Sequence, residues 1–447
     1  MQENKNIAVV GAGLVGSLLA IHLRKLGFPV TLYDKSEDIR KVDFKGKSIN
    51  LAISTRGWHA LKNVGIEKEI EEIAIPMDKR AIHAIDGSIN LQPYGINGEA
   101  IYSISRGELN RKMVDIAERF GTKFCFDHKI WDVSLEKSTL YIGEEERGEW
   151  EEHQFDVIFG TDGAFSKIRQ RMQRQNRFDY SQHFLHLGYK ELYIPPAENG
   201  KHRIDPNSFH IWPRKDFMLI ALANTDGSFT STLFMPFEGA YSFESIDTEN
   251  KLEAFFKEFF PDAFDLMPTL AENYFNNPTS SLVTTQCYPW VYNDRVALLG
   301  DAAHAIVPFY GQGMNAGFED ITELFHQIQE GNGDWDEILE AYQKVRKPNG
   351  DAIAELSFRN FKEMGTDTAD KSFLLQKKIE AKFTKKYPEL WLPLYDRVSF
   401  TLQPYSEVLA IGNRQQQIMK EVMEEPNIEE LWQTDAIYDL ILQKIKV

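Results

Sequence analysis

The stretch RVALLGDAAHAIVPFYGQGMNAGFED, residues 295–320, organises the chain. Its apolar start predicts a short strand that ends at Gly300 and Asp301. A glycine-containing loop follows, and then an amphipathic pattern predicts a helix over about 314–329. A helix N-terminus offers free N–H groups, and a carboxylate at a strand end accepts hydrogen bonds from hydroxyls. The stretch therefore predicts either a contact with an anionic ligand or an ordinary strand–loop–helix connection.

The sequence GAGLVG at residues 11–16 lies between an apolar strand and a helical pattern, and the next strand ends at Asp34. In this setting Gly11 allows a tight turn, Gly13 lets a pyrophosphate approach the backbone, and Gly16 lets helix and strand pack closely. Asp34 is placed to accept hydrogen bonds from a ribose. The pattern predicts a dinucleotide-binding domain, and the motif alone does not distinguish NAD from FAD.

The composition limits the classes of partner. The chain has 447 residues, 43% of them hydrophobic, and a net charge of −17, which argues against nucleic acid or an anionic membrane as partner. Only two cysteines are present, both among apolar or aromatic residues, as expected for inert thiols in a reducing compartment. We expect a cytoplasmic protein without signal peptide, membrane span or nucleic-acid partner. His183 and His186 lack the carboxylate or cysteine neighbours of a metal site, so none is predicted.

Two further turns have alternative interpretations. Ser105 and Glu108 form a capping box that opens a helix, and Arg106 lies in its first turn, where the helix dipole disfavours a cation. Either a nearby phosphate or flavin edge, or plain exposure to solvent, explains Arg106. Asp162 and Gly163 follow an apolar strand and predict either a second backbone contact with a dinucleotide or an ordinary turn.

The middle and the end of the chain differ from its start. Alternating runs at 209–212, 217–223 and 229–234 predict antiparallel strands in a separate sheet. Helices are predicted after residue 329, over 335–345, 351–364, 372–385, 413–424 and 428–445, the last an amphipathic helix docked on the protein. The predicted fold class is α/β: a Rossmann-like domain (1–72, 98–176 and 283–350), a β-rich substrate domain inserted in it (73–97 and 177–282), and a C-terminal helical region (351–447).

The order of the three motifs, GAGLVG, Asp162-Gly163 and GDAAH at 300–304, resembles the single-component flavoprotein aromatic hydroxylases of the p-hydroxybenzoate hydroxylase fold. Within that group the chain is similar to the kynurenine 3-monooxygenases from its first strand to about residue 395. The sequences that carry this similarity are GLVGS (13–17), KSINLA (47–52), RAIH (80–83), PYG (93–95), FDYSQ (178–182), HIWPR (210–214), TLFMPF (232–237) and HAIVPF (304–309). The resemblance implies hydroxylation of L-kynurenine at C3 with NADPH and O₂, through a flavin C4a-hydroperoxide.

The resemblance also implies roles for individual residues. The FAD-binding residues would be Gly11, Gly13, Val15, Gly16, Tyr33, Asp34, Lys35, Ser36, Ala52, Arg106 and Ile130 for the adenosine and pyrophosphate, Asp301 for the ribityl–pyrophosphate region, and Gly313, Met314 and Asn315 for the isoalloxazine. Arg80 and Tyr94 would bind the kynurenine carboxylate, and Asn360 and Tyr395 would complete the pocket. FAD would be tightly bound and would carry the chemistry, so no catalytic side chain is expected. NADPH would bind transiently, without a Rossmann unit of its own.

Several alternatives remain open from the residues themselves. Arg80 could belong to a surface ion pair, and Tyr94 and Tyr395 could be half-buried packing residues. Tyr310 occupies a position where relatives vary between His and Phe, and its effect on rate is open. The alternative functions are hydroxylation of another aryl carboxylate, a flavin-dependent reductase without oxygen insertion, and a non-catalytic FAD-binding regulator.

Overall fold

The computed structural model describes residues 5–41, 49–95, 97–144, 149–365 and 371–446. Within them the strands are β1 Ile7–Val10, β2 Val30–Tyr33, β3 Asn50–Ile53, β4 Ile75–Met77, β5 Lys79–His83, β6 Ile89–Pro93, β7 Ile101–Ser105, β8 Lys123–Cys125, β9 Ile130–Ser134, β10 Thr139–Glu144, β11 Glu149–Gln154, β12 Val157–Gly160, β13 Asp179–Ile194, β14 Ser208–Arg214, β15 Phe217–Ala223, β16 Phe229–Pro236, β17 Ser280–Tyr288, β18 Val291–Tyr292 and β19 Val296–Leu298. The start of the KSINLA sequence, residues 47 and 48, lies outside the described residues.

The helices of the described residues are α1 Leu14–Lys25, α2 Thr55–Val64, α3 Glu67–Glu71, α4 Arg106–Arg119, α5 Lys167–Met172, α6 Glu249–Phe259, α7 Pro261–Phe264, α8 Leu270–Asn276, α9 Asp301–His304, α10 Gly313–Glu330, α11 Trp335–Gly365, α12 Lys371–Lys386, α13 Leu394–Phe400, α14 Tyr405–Met423, α15 Ile428–Leu431 and α16 Ala436–Lys446. Short 3-10 helices cover Ile39–Lys41 and Pro308–Tyr310. The N-cap half of the predicted capping box is confirmed at α4, where the Ser105 hydroxyl accepts the Glu108 N–H at 3.4 Å.

The first large sheet has the strand order β18-β19-β12-β1-β2-β8 and is parallel except for the β18–β19 pair. Its central strand β1 is buried at every residue, as in parallel sheets covered by helices on both faces. The carboxyl ends of β1, β12 and β19 are neighbours, because these three strands are adjacent and parallel. Gly11, Thr161 and Gly300 therefore leave the sheet at one edge, which is where ligands bind in open α/β sheets.

The second large sheet has the order β17-β13-β16-β15-β14-β5-β6. The three antiparallel strands predicted from the alternating runs are confirmed as β14, β15 and β16. The sheet also contains the 16-residue β13, and it is not wholly antiparallel, because β14 pairs in parallel with β5 from an earlier part of the chain. Strand β17 stays in this sheet to Tyr288, beyond residue 282.

The two faces of this second sheet pack against different elements, because successive side chains of a strand alternate. One face carries Trp212, Leu219 and Phe229 and packs on the aromatic side chains of helices α6 to α8. The other face carries Phe209, Ile220 and Phe234 and packs on the region of Phe309 and Tyr395. The first face makes a core, and the second faces the candidate site.

The C-terminal region is helical, as predicted, but several of the predicted bounds were wrong. The helix predicted over 413–424 is α14, which begins eight residues earlier, at Tyr405. Residues 335–345 and 351–364 form one helix, α11, with Pro348 inside it. Proline removes one helical hydrogen bond at a cost of about 3 kcal/mol, and the burial of Leu339, Tyr342, Ile353 and Leu356 on both sides of it offsets that cost.

The predicted helix over 428–445 is two helices, α15 and α16. Lys382 donates to the carbonyls of Trp432 (2.9 Å) and Thr434 (3.2 Å), so these carbonyls are bonded outside a helix. The expected docking is confirmed, because Ile437 and Ile441 of α16 are buried against the core that includes Met419. In the described part of the chain no helix is both long and apolar enough to cross a bilayer.

Buried histidines predict an acid-sensitive fold. Burial lowers the pKa of His22 in α1 to about 3 and that of His210 in β14 to about 4, from the ordinary value near 6.5. The unfolded chain then binds more protons below pH 6.5, so the stability is complete above pH 6.5 and falls as the pH drops toward 4. We expect His22→Leu to reduce the loss of unfolding free energy between pH 6.5 and 4.5 by about 2 kcal/mol, as measured by denaturant titration. His183→Leu, at an exposed position of β13, is the matched control, and equal pH slopes in both variants would contradict the assignment.

Candidate functional site

The glycine-rich turn between β1 and α1 has one open position. Gly11 has a φ of +108°, and a Cβ there would lie 2.5 Å from the Thr161 carbonyl oxygen. A Cβ on Gly16 would overlap the Gly11 carbonyl oxygen. A Cβ on Gly13 would meet nothing within 4 Å. The fold itself therefore requires Gly11 and Gly16, whereas Gly13 leaves free space beside the N-terminus of α1, which has no side-chain cap.

Asp34 is oriented by the same turn. Its carboxylate accepts the Ala12 N–H at 2.7 Å and the Ser36 N–H at 2.8 Å. Each carboxylate oxygen has a further lone pair, so the group is still able to accept hydrogen bonds from a ribose. Tyr33 is buried beneath this turn, and Lys35 and Ser36 are exposed. The predicted adenosine-side residues of β2 therefore lie together at the edge of the first sheet.

Ile130 lies at the start of β9, close to that edge. Its side chain is 8% exposed and belongs to the core of the first sheet. The loop before it is joined to the end of β2, since the His128 N–H donates to the Asp34 carbonyl at 2.8 Å. Ile130 is thus an apolar neighbour of the adenosine side and offers no polar contact.

Val15 joins the two glycine-containing motifs. A Cβ on Gly300, which has a φ of +59°, would lie 3.0 Å from a Val15 methyl, and a Cβ on Gly317 would lie 2.7 Å from the same methyl. Both glycines are therefore needed for α1, the end of β19 and α10 to approach so closely. This contact brings the late GDAAH sequence beside the first turn, as the cofactor interpretation of both motifs requires.

Asp301 and Arg106 are near enough for their charges to interact. Asp301 is reached by solvent, but the protein around it displaces enough water to raise the pKa of its carboxyl, an effect that the charge of Arg106 opposes. Arg106 is exposed at the first turn of α4, and its N–H donates to the Ile49 carbonyl at 3.1 Å. An exposed cation near a cleft carboxylate favours the phosphate interpretation of Arg106 over plain solvent exposure.

The start of α10 is fixed by Asn315. Its side-chain amide donates to the Ala52 and Gly311 carbonyls, both at 2.9 Å, and its amide oxygen accepts the Ser54 N–H at 3.0 Å. The amide is thus used within the protein, and Asn315 aligns β3 with the helix. Gly313 is the first residue of α10, whose N-terminus has no side-chain cap, and Met314 is half-buried beside it.

A buried charge network behind this helix was not predicted. The Asp320 carboxylate accepts the Gly300 N–H (2.8 Å), His304 Nε2 (2.6 Å) and Arg346 Nε (2.8 Å). Glu319 bridges Arg346 to Arg56, which also donates to the Gln403 carbonyl after α13. His304 is therefore a structural partner of Asp320, not a free acid or base. No short motif marks this network, because its cations Arg56 and Arg346 lie outside the 295–320 stretch that holds Gly300, His304, Glu319 and Asp320.

The residues present fit FAD. The open space at Gly13 and the uncapped N-terminus of α1 lie at the carboxyl end of β1, and the contact of Val15 with Gly300 and Gly317 brings the end of β19 and helix α10 to the same place. Asp301 follows Gly300 there, and Arg106 is near enough to interact with its charge. Backbone N–H groups at helix N-termini bind phosphate and other electron-rich groups, and a carboxylate binds hydroxyls. In the described residues no group of three or more His, Cys, Asp or Glu side chains could hold a metal ion. Cys125 and Cys287 are free, and burial raises the pKa of Cys287 to about 12, which keeps this thiol protonated.

The second half of the site is built around Arg80. Its guanidinium carbon lies 4.0 Å from the Tyr395 ring centroid and 5.1 Å from that of Tyr94, and its Nε donates to the Tyr94 hydroxyl at 3.3 Å. Among the described residues no carboxylate oxygen lies within 4.0 Å of the guanidinium nitrogens, so the surface ion pair is ruled out there. Arg80 is a half-buried cation on the cleft face of β5.

Three tyrosines form a stack beside this cation. Tyr395 lies in the middle, with ring centroids 5.5 Å from Tyr94 and 5.4 Å from Tyr310, and the planes are within 13° and 9° of parallel. Burial raises the pKa of Tyr94 and Tyr310 well above the ordinary value, so both hydroxyls stay protonated and able to donate. Tyr310 was singled out by its place in the loop, but its stacking on Tyr395 was not foreseen.

Asn360 approaches the same region from α11, where its amide donates to the Phe309 carbonyl at 2.7 Å. It therefore supports the 3-10 turn that carries Tyr310. Apolar side chains of Phe209, Ile220 and Phe234 cover the remaining wall. Ala52 contacts the cluster of Tyr94 and Tyr395 and is also bonded to Asn315, so the Arg80 pocket adjoins the FAD cleft.

Substitutions at Gly13 and Gly16 test whether the pyrophosphate of FAD binds at this turn. Gly13 has a φ of −73° and open space, so Gly13→Ala should fold normally but lose FAD affinity at least about tenfold, because the new methyl group occupies the approach to the backbone. Gly16→Ala should lower the melting temperature of the apoprotein, because its methyl group overlaps the Gly11 carbonyl. Flavin fluorescence titration and thermal melts measure the two effects, and normal FAD affinity in Gly13→Ala would contradict this placement of the pyrophosphate.

Comparison with known proteins supports an FAD-binding domain and gives the fold. A family model described as FAD binding domain matches residues 4–357. The fold is similar to the tetrameric form of 2-methyl-3-hydroxypyridine-5-carboxylic acid oxygenase, with a TM-score of 0.67 over 84% of this chain and 96% of that chain, at 19% identity. The α/β fold with an FAD-binding domain, additional sheets and a C-terminal helical region is thereby confirmed.

Relatives with closer sequences extend over the full chain. The kynurenine 3-monooxygenase of Flavobacterium johnsoniae is 60% identical over 446 residues, which is 100% of both chains. That of Dictyostelium discoideum is 44% identical and covers 96% of both chains. This chain therefore belongs to the kynurenine 3-monooxygenase family of FAD-dependent flavoprotein hydroxylases.

Proposed function

We propose that the chain is an NADPH-dependent flavoprotein monooxygenase that hydroxylates L-kynurenine to 3-hydroxy-L-kynurenine. The observation that carries the proposal is Arg80, a half-buried cation without a carboxylate partner among the described residues, next to a cleft that fits FAD. The names of the relatives support kynurenine as the substrate. The kynurenine carboxylate would bind Arg80 and the Tyr94 hydroxyl through charge-assisted hydrogen bonds.

The chain binds, orients and shields the substrate. Bound FAD would supply the redox chemistry: electrons from NADPH would reduce O₂, so that one oxygen atom enters the aryl ring and the other leaves as water. The aryl amine of kynurenine already activates the carbon beside it, so no protein base is required. The aromatic rings of Tyr94, Tyr310 and Tyr395 pack against the bound substrate and exclude water from the reacting ring. Asn360 would complete the pocket by fixing the turn of Tyr310.

The proposal also assigns a role to each part of the chain. Residues 1–72, 98–176 and 283–350 would form the FAD-binding domain, residues 73–97 and 177–282 the substrate domain, and residues 351–447 the cover of the pocket. The FAD contacts would come from Gly11, Gly13, Val15, Gly16, Tyr33, Asp34, Lys35, Ser36, Ala52, Arg106, Ile130, Asp301, Gly313, Met314 and Asn315. The cytoplasmic location stays a prediction from composition.

A direct assay tests the reaction. Purified protein loaded with FAD is given NADPH in air-saturated buffer, with and without L-kynurenine, and the product is identified by mass. A gain of one oxygen atom at the aryl ring supports the proposal. Oxidation of NADPH without hydroxylated product indicates a reductase, and bound flavin without turnover indicates a regulator. Turnover of anthranilate or hydroxybenzoate instead of kynurenine would assign the alternative hydroxylase.

Arg80→Ala separates substrate binding from cofactor binding. Loss of charged hydrogen bonds costs about 1.5–3 kcal/mol, so the Kd for L-kynurenine should rise about 10- to 100-fold while FAD retention stays unchanged. Lys79→Ala is the matched control, since Lys79 neighbours Arg80 in β5 but pairs with Asp78 and Asp205 at the surface. If Arg80→Ala loses FAD as strongly as it loses kynurenine, Arg80 has a structural role.

A further inference from the structure

Two histidines on the core face of the second sheet belong to a continuous chain of hydrogen bonds, which we call the His83 chain. His83 Nδ1 lies 2.7 Å from the Asp262 carboxylate of α7, and His83 Nε2 lies 2.9 Å from His210 Nδ1. His210 Nε2 lies 2.8 Å from the Asp205 carbonyl oxygen, where the chain ends. His83 and His210 are 2% and 3% exposed, so bulk water is kept away from both rings.

The number of protons in the His83 chain fixes its charge. Each of its three hydrogen bonds requires one proton, and the Asp205 carbonyl can only accept. Two neutral imidazole rings carry one N–H each, so together they supply two protons for three bonds. The third proton therefore lies on one of the two rings, which is then an imidazolium, or on the Asp262 carboxyl group.

The geometry favours His83 as the charged ring. Its separation of 2.7 Å from Asp262 is in the range of charge-assisted N–H···O hydrogen bonds. The His83 ring also stacks on the indole of Trp212, with centroids 4.0 Å apart and planes within 23° of parallel. An indole face attracts a cation, so both neighbours of the ring stabilise a positive charge on it.

The neighbouring groups titrate in agreement with this assignment. Burial lowers the pKa of His210 to about 4, so that ring is neutral at pH 7. Burial raises the pKa of the Asp262 carboxyl, but its hydrogen bonds with His83 and Trp212 outweigh burial and lower the pKa overall. The group is therefore a carboxylate, and it accepts the Trp212 N–H at 2.9 Å.

Arg214, at the end of β14, is a cation that opposes a charge on His83. Its guanidinium donates to the carbonyls of Phe259 (2.6 Å), Pro213 (2.7 Å) and His83 itself (2.9 Å). These bonds direct Arg214 to backbone oxygens of three segments, whereas the Asp262 oxygens accept from the rings of His83 and Trp212. The carboxylate that balances the imidazolium is thus in direct contact with it.

The His83 chain attaches the hairpin of β5 and β6 to the rest of the sheet. Arg80 lies in β5 and Tyr94 directly follows β6, so this hairpin carries both groups proposed to bind the substrate carboxylate. The strand order places β5 between β14 and the edge strand β6, whose five residues are all exposed. The backbone pairing of β5 with β14 covers residues 79–82, and the bonds of His83 extend the attachment to the end of the strand.

We propose that His83 is an imidazolium held between Asp262 and His210, and that its charge keeps the β5–β6 hairpin where Arg80 and Tyr94 can bind the substrate. The proposal rests on the proposed function and adds to it a residue outside the pocket. His83 is a positioning residue in this role, because its side chain lies on the face of β5 opposite Arg80.

Nitrogen NMR of the FAD-loaded protein tests the charge directly, because protonated and bare imidazole nitrogens resonate far apart. Protein with isotope-labelled histidine is measured at pH 7.5, and the signals of His83 are identified by their absence in His83→Gln. We expect both ring nitrogens of His83 to carry a proton and His210 to keep one bare nitrogen. A bare nitrogen on His83 would overturn the proposal.

Asp262→Asn separates the charge from the hydrogen bonds. The asparagine oxygen can accept the Trp212 N–H and its nitrogen can donate to His83 Nδ1, so the chain is complete with two neutral rings. Because a neutral hydrogen bond is about half as strong as a charge-assisted one, the hairpin should leave its position more often. We expect the Kd for L-kynurenine to rise about three- to tenfold, faster amide hydrogen exchange in β5 and β6, and an unchanged Kd for FAD.

Asp265→Asn, at an exposed carboxyl just after α7, is the matched control and should change none of these values. A purely structural role of Asp262 predicts a lower melting temperature with unchanged kynurenine affinity, and this result would overturn the proposal. Equal losses of kynurenine and FAD affinity would overturn it as well. If the FAD-loaded wild type binds no kynurenine, the proposed function fails and the positioning role fails with it, whereas the nitrogen spectrum still reports whether His83 is charged.

Discussion

The close approach of three turns at one edge of the parallel sheet is the constraint on which the rest of the site depends. Gly11 lies against the Thr161 carbonyl, Gly16 against the Gly11 carbonyl, and Val15 against Gly300. A methyl group at Gly11 or Gly16 would overlap backbone atoms, and one at Gly300, where φ is +59°, would strain the backbone and press on the Val15 side chain. Because the strands are adjacent and parallel, this contact puts the helix N-terminus of the first motif and the acidic turn of the last motif on one cleft, although nearly 300 residues separate them.

Holding that edge requires a second, buried set of interactions. Asp320 is fully buried and takes the Gly300 N–H as well as Arg346 and His304. Removing one partner from such a pair leaves an uncompensated buried charge and typically costs 3–5 kcal/mol. Through Glu319 the network reaches Arg56, whose guanidinium stacks on Tyr405 and is bonded to the turn after α13. Helix α13, which carries Tyr395 and Asp396, is thereby attached to the elements that hold the turn of Gly300 and Asp301.

Sequence reasoning predicted the local structure that short patterns encode around the candidate site. The GAGLVG turn, Asp34, the capped start of α4 and the helix after the loop each depend on residues within one short stretch, so their positions were predictable. The tyrosine stack joins residues that are far apart in the chain, and the Asp320 network adds Arg346 and Arg56 to residues of the 295–320 stretch, so no single motif predicts either of them. Pro348 shows the opposite error, since a strong local signal for a helix end was outweighed by burial on both sides of it.

The alternation of side chains along β5 and β14 explains how one strand serves both core and site. Arg80 and His83 are three residues apart, so they lie on opposite faces. His83 bonds His210 at 2.9 Å and Asp262 at 2.7 Å, and Trp212 bonds Asp262 at 2.9 Å, all on the face that packs on the helices. The HIWPR sequence at 210–214 thus places the side chains of His210 and Trp212 in the core, away from the substrate side. This sequence therefore acts on the site indirectly. Its hydrogen bonds on the core face fix β5, and β5 in turn fixes the Arg80 guanidinium over the Tyr395 ring. A cation in a fixed position distinguishes a correctly placed carboxylate from a displaced one.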